Sequence, residues 1–456
     1  MQTNRNIDRR DYYGYAGTVL ATSLLSIGFG AIDIAMLAPF GAGAVAGVGL
    51  SNMILAAMLA LSYGFLDQLA TEVAAKHASG SLHDDAAILA LSALAFCLVW
   101  CALLYALSTA VPSVLAWLHQ SPAVIDVAQN YLSIRAPFVI LSVCQLAIAS
   151  SLRICGLKGV ALVSLALGFA VNALLNWVFL YGDAFRDILK PETAVAWSTV
   201  LAQVAMIALS LYPCAKYIRT DLRFEHGNGA NPFAKVKERF VDYTSATLSV
   251  GVKHLNDYVG SLLLMILIGQ FGAEVQASAQ ISATIMTVFY RLPQSLCDAT
   301  LVAYSRLKSL SGSVAAGFQR SLFQLAFWPT ICAGLALWAT MPWLSAVVSS
   351  DAAGIAPRAC TLARIDLLFL PFYAVQHICA QFLIVDKKRR HLARWSMGVT
   401  YLLFVPAALI ASHVLASPEM LYVLRGSSLL LIACGFAYPI VQGLRLSGEK
   451  GTEMLL

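Results

Sequence analysis

Charge is what this sequence has least of. Lys, Arg, Asp and Glu together make up 12% of its 456 residues, about half the share usual in soluble domains. A water-soluble globule of this length could not cover its surface with so few charges. Disorder is excluded too, because disordered chains are poor in apolar residues and 59% of this one is hydrophobic. Basic stripes with interleaved aromatics are missing, and a net charge of +6 is small for the length, so no nucleic-acid partner is expected. The ten cysteines include no CxxC pair. Cys97 and Cys101 share a helix face but have no His or acid beside them, so the cysteines read as small buried apolar residues, with no disulfide framework and no metal site. No Walker lysine loop, HExxH or GxSxG occurs, which leaves no enzyme motif and no chemical energy source in the chain. A cleavable signal peptide is not expected, because the first fourteen residues are polar and charged and the apolar run after them is too long for an h-region. A mean hydropathy of +0.74 points instead to a polytopic membrane protein.

A spanning helix needs about 20 mostly apolar residues. Twelve such runs are present, near 15–38, 43–70, 86–111, 130–154, 160–181, 193–214, 244–269, 275–303, 319–342, 361–385, 393–416 and 420–444. The second and eighth are the longest and are expected to tilt or to extend past the membrane. With the N-terminus placed in the cytoplasm, 22 of the 30 Lys and Arg residues fall in inner segments, 3 in outer ones and 5 within or at the edges of spans. That asymmetry predicts a multi-pass protein of the inner (plasma) membrane with both termini cytoplasmic.

The longest loop divides the chain into a cytoplasmic N-terminus (1–14), a first lobe (15–214), a basic cytoplasmic linker (215–243), a second lobe (244–444) and a cytoplasmic C-terminus (445–456). The lobes repeat. "FGAGAVAGVGLSN" from Phe40 and "FGAEVQASAQISA" from Phe271 lie 231 residues apart, and the same offset pairs Ser51 with Ser282, Asp67 with Asp298 and Gln145 with Gln376. Six spans per half give both halves the same orientation. The fold class predicted is therefore all-α, twelve transmembrane helices in two six-helix lobes related by a parallel repeat, an arrangement common among secondary transporters.

Three stretches carry a family resemblance. "SIGFGAIDIAMLAPFGAGAVAGVGLSN" places an aspartate before a Gly-containing turn and an Ala-rich second helix, "YLSIRAPFVILSVCQLAIASSLRICGLKGVALVSLALGFAVNALLNWVFLYG" covers 131–182, and "GQFGAEVQASAQISATIMTVFYRLPQSL" covers a later turn. In order, spacing and span count the chain resembles the MATE family of multidrug and toxic compound extruders, over roughly residues 15–445. The resemblance implies an inner-membrane efflux transporter, a monomer, driven by a proton or sodium gradient.

A carboxylate inside a span is costly unless it faces a cavity or a partner, so each is a functional candidate. Asp33 lies near the outer end of span 1. Asn172 and Asn176 are one turn apart on span 5, and Thr199 and Gln203 lie at a similar depth on span 6. If these spans pack together, the group can hold a proton or a hard cation. The resemblance implies the same lobe and positions. Some members carry Asp where Asn176 stands here, and the missing charge favours protons over sodium.

Asp257 lies mid-span in the seventh helix with Lys253 one turn earlier, a pair that binding or transport could break. In one branch of the family a coupling Glu lies fifteen residues before the glycine of the next turn, as Asp257 does before Gly272. That branch also has an Asp before Ala-Val-Gln on span 10. Here "YAVQH" puts Tyr373 at that place, with His377 one turn further on as an alternative proton carrier. Arg291 in mid-span 8 pairs with Asp257 or binds an anionic group of the solute, and Pro293 is expected to kink the helix beside it. Gln145 and Gln376 read as cavity liners. Asp67, Asp298 and Glu72 read as interfacial ion pairs with the basic inner loops, while Arg135, Arg364, Asp366 and Arg425 read as lying near outer span ends, where long side chains snorkel.

The function expected is secondary active export of an organic solute (a drug, toxin or secondary metabolite) by antiport with protons. The partners are then the solute, protons and the lipid bilayer, and no cofactor is needed. The alternative is a lipid-linked oligosaccharide flippase of the same superfamily.

Overall fold

The computed structural model describes residues 9–78, 81–186, 188–219, 232–311, 316–349, 354–386, 388–414 and 417–453. Regular structure there is helical, with no strand among the described residues. The helices fall on the apolar runs. Spans 1, 2 and 3 are Arg9–Leu37, Ala42–Ala78 and Leu82–Ser108. Span 4 is two helices, Pro122–Arg135 and Val139–Ile154. Spans 5 and 6 are Lys158–Tyr181 and Pro191–Arg219. Span 7 is Val252–Gly269, entered through Pro232–Ala246 and a π-turn at Thr247–Gly251. Span 8 is Ala273–Phe289 followed by Arg291–Ser311, and span 9 is Ala316–Ser349. Span 10 is Ile355–Leu368 with Leu370–Val385. Span 11 is Arg389–Gly398, a π segment Val399–Phe404 and Val405–Val414, and span 12 is Pro418–Glu453.

Among the described residues seven helices are long and apolar enough to cross a bilayer alone, and ten spans qualify when each bent pair counts as one. The remaining two are spans 7 and 8. The first has a short apolar core, Tyr258–Gly269. The second carries Arg291, Asp298, Arg306 and Lys308 in its C-terminal half, where charge dilutes the apolar run. Leu98, Leu174, Trp177, Leu335, Leu402 and Ile410 are exposed, a lipid-facing surface that water would not tolerate on this scale. This is an all-α polytopic membrane protein.

Bends explain where several polar residues end up. Span 4 turns by 55° and span 10 by 48°. The two breaks are capped by Phe138 and Phe369, which are 231 residues apart and share a backbone conformation (φ −94°, ψ 10° and φ −92°, ψ 1°). Pro137 in one break and Pro371 beside the other each remove a backbone donor. In span 8 the helix is interrupted at Tyr290, and Pro293, which has no backbone N–H, leaves the Phe289 carbonyl without its usual helical partner.

The repeat holds at the level of single hydrogen bonds. Gly41 and Gly272 occupy φ 108° and 101°, values that glycine alone adopts cheaply. Gly41 N donates to Ala38 O at 3.3 Å and Gly272 N to Gly269 O at 3.2 Å, again 231 apart.

Compactness divides the chain differently from the repeat. One unit runs from residue 28 to 277; the other joins the chain up to residue 27 with residues 278 onward. In the first, spans 5 and 6 pack together, and span 2 packs on spans 4 and 7. In the second, span 10 packs on spans 8, 9 and 12. The start of span 1 and all of span 7 thus join helices of the opposite sequence half, and they do so by matching contacts. Tyr12 sits in a cluster with Leu296, Leu322 and Phe382, and its hydroxyl donates to Leu296 O at 2.9 Å. Its repeat mate Tyr243 sits with Phe65 and Phe96, and its hydroxyl lies 3.3 Å from Glu72 Oε2. Leu296 is in turn the repeat mate of Phe65. Arg239 of the linker lies 3.6 Å from the same Glu72 carboxylate, the type of inner-loop ion pair expected for that acid.

Backbone contact between spans 2 and 7 depends on two glycines. A Cβ on Gly64 would run into the Ala246 carbonyl, and one on Gly251 into the Leu61 carbonyl. Small residues at such crossings let helices approach where lipid supplies no hydrophobic drive. Gly64→Val is expected to destabilise the protein by ~1–3 kcal/mol, seen as a lower apparent Tm in detergent. Gly17→Ala, with nothing within 4 Å of the new Cβ, should leave Tm unchanged.

Candidate functional site

Five spans build a buried polar network in the unit from 28 to 277. Asp33 of span 1 is 1% exposed, and Asn172, Asn176, Thr199 and Gln203 are buried with it. Asn176 Nδ2 donates to Asp33 Oδ1 at 2.6 Å and Thr199 Oγ1 to Asp33 Oδ2 at 3.1 Å. Asn172 Nδ2 donates to Thr199 Oγ1 at 3.3 Å and also lies within reach of Asp33. The Ser198 hydroxyl donates to Asn176 Oδ1. The five first-lobe residues singled out from the sequence therefore come together. Helical spacing does most of this: Asn172 and Asn176 stack on one face of span 5, and Thr199 and Gln203 on one face of span 6. Glycine does the rest. A Cβ on Gly168 would collide with Met206 of span 6, and one on Gly28 would lie 2.6 Å from the Phe169 ring, so both glycines let spans 1, 5 and 6 close.

Arg135 completes the network and corrects the sequence reading. It does not snorkel; it is 8% exposed, and its Nη1 donates to Gln203 Oε1 at 3.1 Å while Gln203 Nε2 donates to Ser142 Oγ at 2.7 Å. Its charge acts on Asp33, and it lies against Tyr131, whose hydroxyl donates to Asn52 Oδ1 at 2.8 Å. The reason is length. Span 4 begins at Pro122, ahead of the apolar run near 130, so Arg135 is the last residue of a 14-residue half-helix and not the edge of a span. Two buried atoms of the network have no hydrogen-bond partner, Asn172 Oδ1 and Arg135 Nε.

The second unit holds a different set. Tyr373 stacks on Tyr290 with ring centroids 4.2 Å apart and meets the His377 ring at 4.2 Å. Arg291 Nη1 donates to Gln294 Oε1 at 2.7 Å, and its charge acts on Asp298. Arg291 Nε and Gln376 Oε1 are buried without hydrogen-bond partners. Arg291, Tyr373, Gln376 and His377 thus belong to one unit, whereas Gln145 is half-buried in the other. Lys253 and Asp257 sit on the Val252–Gly269 helix, but their side chains lie outside the described residues.

Asp366 was also missed as a core group. It is 8% exposed and feels the charge of Arg425, again because its half-helix starts at Ile355, ahead of the apolar run near 361. Asp366 is the repeat mate of Arg135. At the position beside its proline-associated break one unit therefore buries a base, Arg135, and the other an acid, Asp366, which half-buried Arg425 faces. The signal was present in the 231 offset, but hydropathy had placed both residues at span ends. Arg364, placed with them, lies 5.5 Å from the Trp338 ring centroid as a cation–π pair. Among the described residues no group of three or more His, Cys, Asp or Glu could hold a metal ion.

Residues 19–178 match the MatE family model. Sequence comparison with curated proteins gives no match. Solved structures match along nearly the whole length. An inward-facing multidrug resistance MATE family transporter of the MOP superfamily covers 96% of this chain and 99% of its own, at TM-score 0.73 and 16% identity. The eukaryotic MATE transporter AtDTX14 covers 95% of each, at 0.70 and 13%. A MOP superfamily transporter from Pyrococcus furiosus, whose reversed pocket polarity was taken to suggest a different function, covers 96% of each, at 0.67 and 15%. The class is thus a helical membrane protein of transporter architecture. More narrowly, residues 19–178 match the MatE model, and the chain has the fold of the MATE family transporters it is similar to.

Thr199→Val removes both the donor to Asp33 and the acceptor for Asn172. We expect a loss of ~1–3 kcal/mol, read as a lower Tm by differential scanning fluorimetry in detergent. Thr199→Ser, which keeps the hydroxyl, should recover most of it.

Proposed function

We propose that this chain is a secondary active exporter of an organic solute, driven by antiport with protons, in which Asp33 is the proton-binding group. The observation that carries this reading is the buried Asp33 carboxylate held by donors from spans 5 and 6, with an unsatisfied acceptor, Asn172 Oδ1, in the same network. Ionised, Asp33 is satisfied by Asn176 and Thr199. Protonated, it becomes a donor and needs an acceptor, and a rotation of the Asn172 amide supplies one. Both protonation states can therefore be hydrogen-bonded without water, and switching between them rearranges the bonds joining spans 1, 5 and 6. Such a switch biases the equilibrium between inward- and outward-open states, as alternating access requires. A single acid in the network, with Asn176 beside it, suits a proton better than sodium. Lys253 and Asp257 remain candidates for a second coupling pair on span 7.

The solute is assigned to the second unit. The Tyr290–Tyr373–His377 stack offers aromatic faces, and Arg291 and Gln376 offer polar atoms without partners. That mixture fits an anionic or zwitterionic aromatic solute at least as well as a hydrophobic cation. The cationic Arg291 also keeps a second reading open, a flippase for a lipid-linked oligosaccharide. The bias of Lys and Arg supports cytoplasmic termini, and we assign the chain to the plasma membrane.

The test uses inside-out vesicles carrying an imposed pH gradient or, separately, a sodium gradient, with a fluorescent cation and a fluorescent organic anion as probes. Uptake of either probe should follow the pH gradient and not the sodium gradient, and should fall at least about tenfold in Asp33→Asn. Uptake that survives intact in Asp33→Asn would refute Asp33 as the coupling group. A protein that moves neither probe but speeds transbilayer movement of a fluorescent anionic lipid would overturn export in favour of the flippase.

A further inference from the structure

We propose that Arg135 is a resident counter-cation that closes the Asp33 network to sodium and so sets its ion specificity. This rests on reading Asp33 as the proton-binding group. The charged and titratable side chains around it are few. Asp33 comes from span 1 and Tyr131 and Arg135 from span 4; the rest are neutral amides and hydroxyls from spans 2, 4, 5 and 6. With Asp33 ionised the network is already neutral, without any ion from solution. A sodium ion added there would leave an uncompensated positive charge in a buried site.

The oxygens tell the same story. Sodium needs several oxygen ligands, as other hard cations do. Gln203 Oε1 is held by Arg135, Asn176 Oδ1 by Ser198, and the two Asp33 oxygens by Asn176 and Thr199. Asn172 Oδ1 is the one acceptor atom of this network without a partner among the buried side-chain atoms. Gathering these oxygens around a metal ion would mean breaking or sharing the hydrogen bonds that orient them, whereas a proton forms an O–H on one carboxylate oxygen and needs a single acceptor, which Asn172 Oδ1 supplies. Arg135 is therefore a positioning residue with two effects: it supplies the compensating charge, and it occupies the Gln203 carbonyl. Removing it should free that oxygen and leave the network with net charge −1, which are the two conditions a sodium site requires.

The experiment measures equilibrium binding of radioactive sodium to the purified full-length protein by scintillation proximity, so it does not depend on transport. Wild type is expected to show no saturable sodium binding. Arg135→Met should gain saturable binding at least about tenfold tighter than any residual wild-type signal, a change of ~1.4 kcal/mol. Arg135→Lys, which keeps the charge, should stay closed, and Asp33→Asn in the Arg135→Met background should abolish the gain. Saturable, Asp33-dependent sodium binding in wild type overturns the proposal. So does an Arg135→Met protein that runs monodisperse, melts cooperatively and binds no more sodium than wild type. Should Arg135→Met not fold, Asn176→Asp meets both conditions another way: it sets the net charge to −1 and exchanges the amide donor on Asp33 Oδ1 for a carboxylate oxygen, with the guanidinium in place. It carries the same expected gain, and no binding there overturns the idea. Transport retained in Asp33→Asn would remove the proton reading, while a wild type closed to sodium and opened by Arg135→Met would still uphold the role of Arg135.

Discussion

An ionised carboxylate in a hydrocarbon layer has to find all its partners within the protein. Asp33 is where that constraint acts most strongly. Its two oxygens take donors from two other helices, Asn176 and Thr199, and a guanidinium from a fourth helix offsets its charge. The packing of spans 1, 4, 5 and 6 follows from this need as much as from side-chain volume. Gly28 and Gly168 are small because the helices bearing these groups must come close. The half-helix Pro122–Arg135 runs inward far enough to deliver its terminal arginine. A single acid thus accounts for small residues, a helix break and a buried base that composition alone would leave unconnected.

The repeat shows how one architecture was given two chemistries. Turn glycines, capping phenylalanines and docking tyrosines recur at the same offset with matching geometry. These positions serve the backbone, and backbone demands are the same in both halves. The polar interiors differ. The first unit surrounds an acid with amides and hydroxyls, while the second lines up tyrosines, a histidine and an arginine. At the shared position before the break one half buries Arg135 and the other Asp366. Duplication explains the shared frame, and divergence of these interiors is what a division of labour between ion and solute would require.

Helix count, the parallel repeat and the Asp33, Asn172, Asn176, Thr199 and Gln203 group were legible without coordinates. Hydropathy over about 20 residues and the 3.6-residue helical period are local properties, and they fix which residues share a span, a face and a depth. The same tools misplaced Arg135 and Asp366. An amphipathic half-helix such as Pro122–Arg135 has too many polar residues to register as part of a span, so a residue in its last turn looks like an edge.

What the amino-acid order determined here is therefore everything that depends on near neighbours in the chain: the spans, the turn glycines and the polar faces. Tertiary structure alone decided which face meets which. It carried the start of span 1 and the whole of span 7 onto helices of the opposite sequence half, turned Arg135 inward, and stacked Tyr290 on Tyr373. Those outcomes depend on helix bends and on contacts between residues far apart in the chain, where the energy lies in mutual satisfaction of buried groups and is invisible to any one segment.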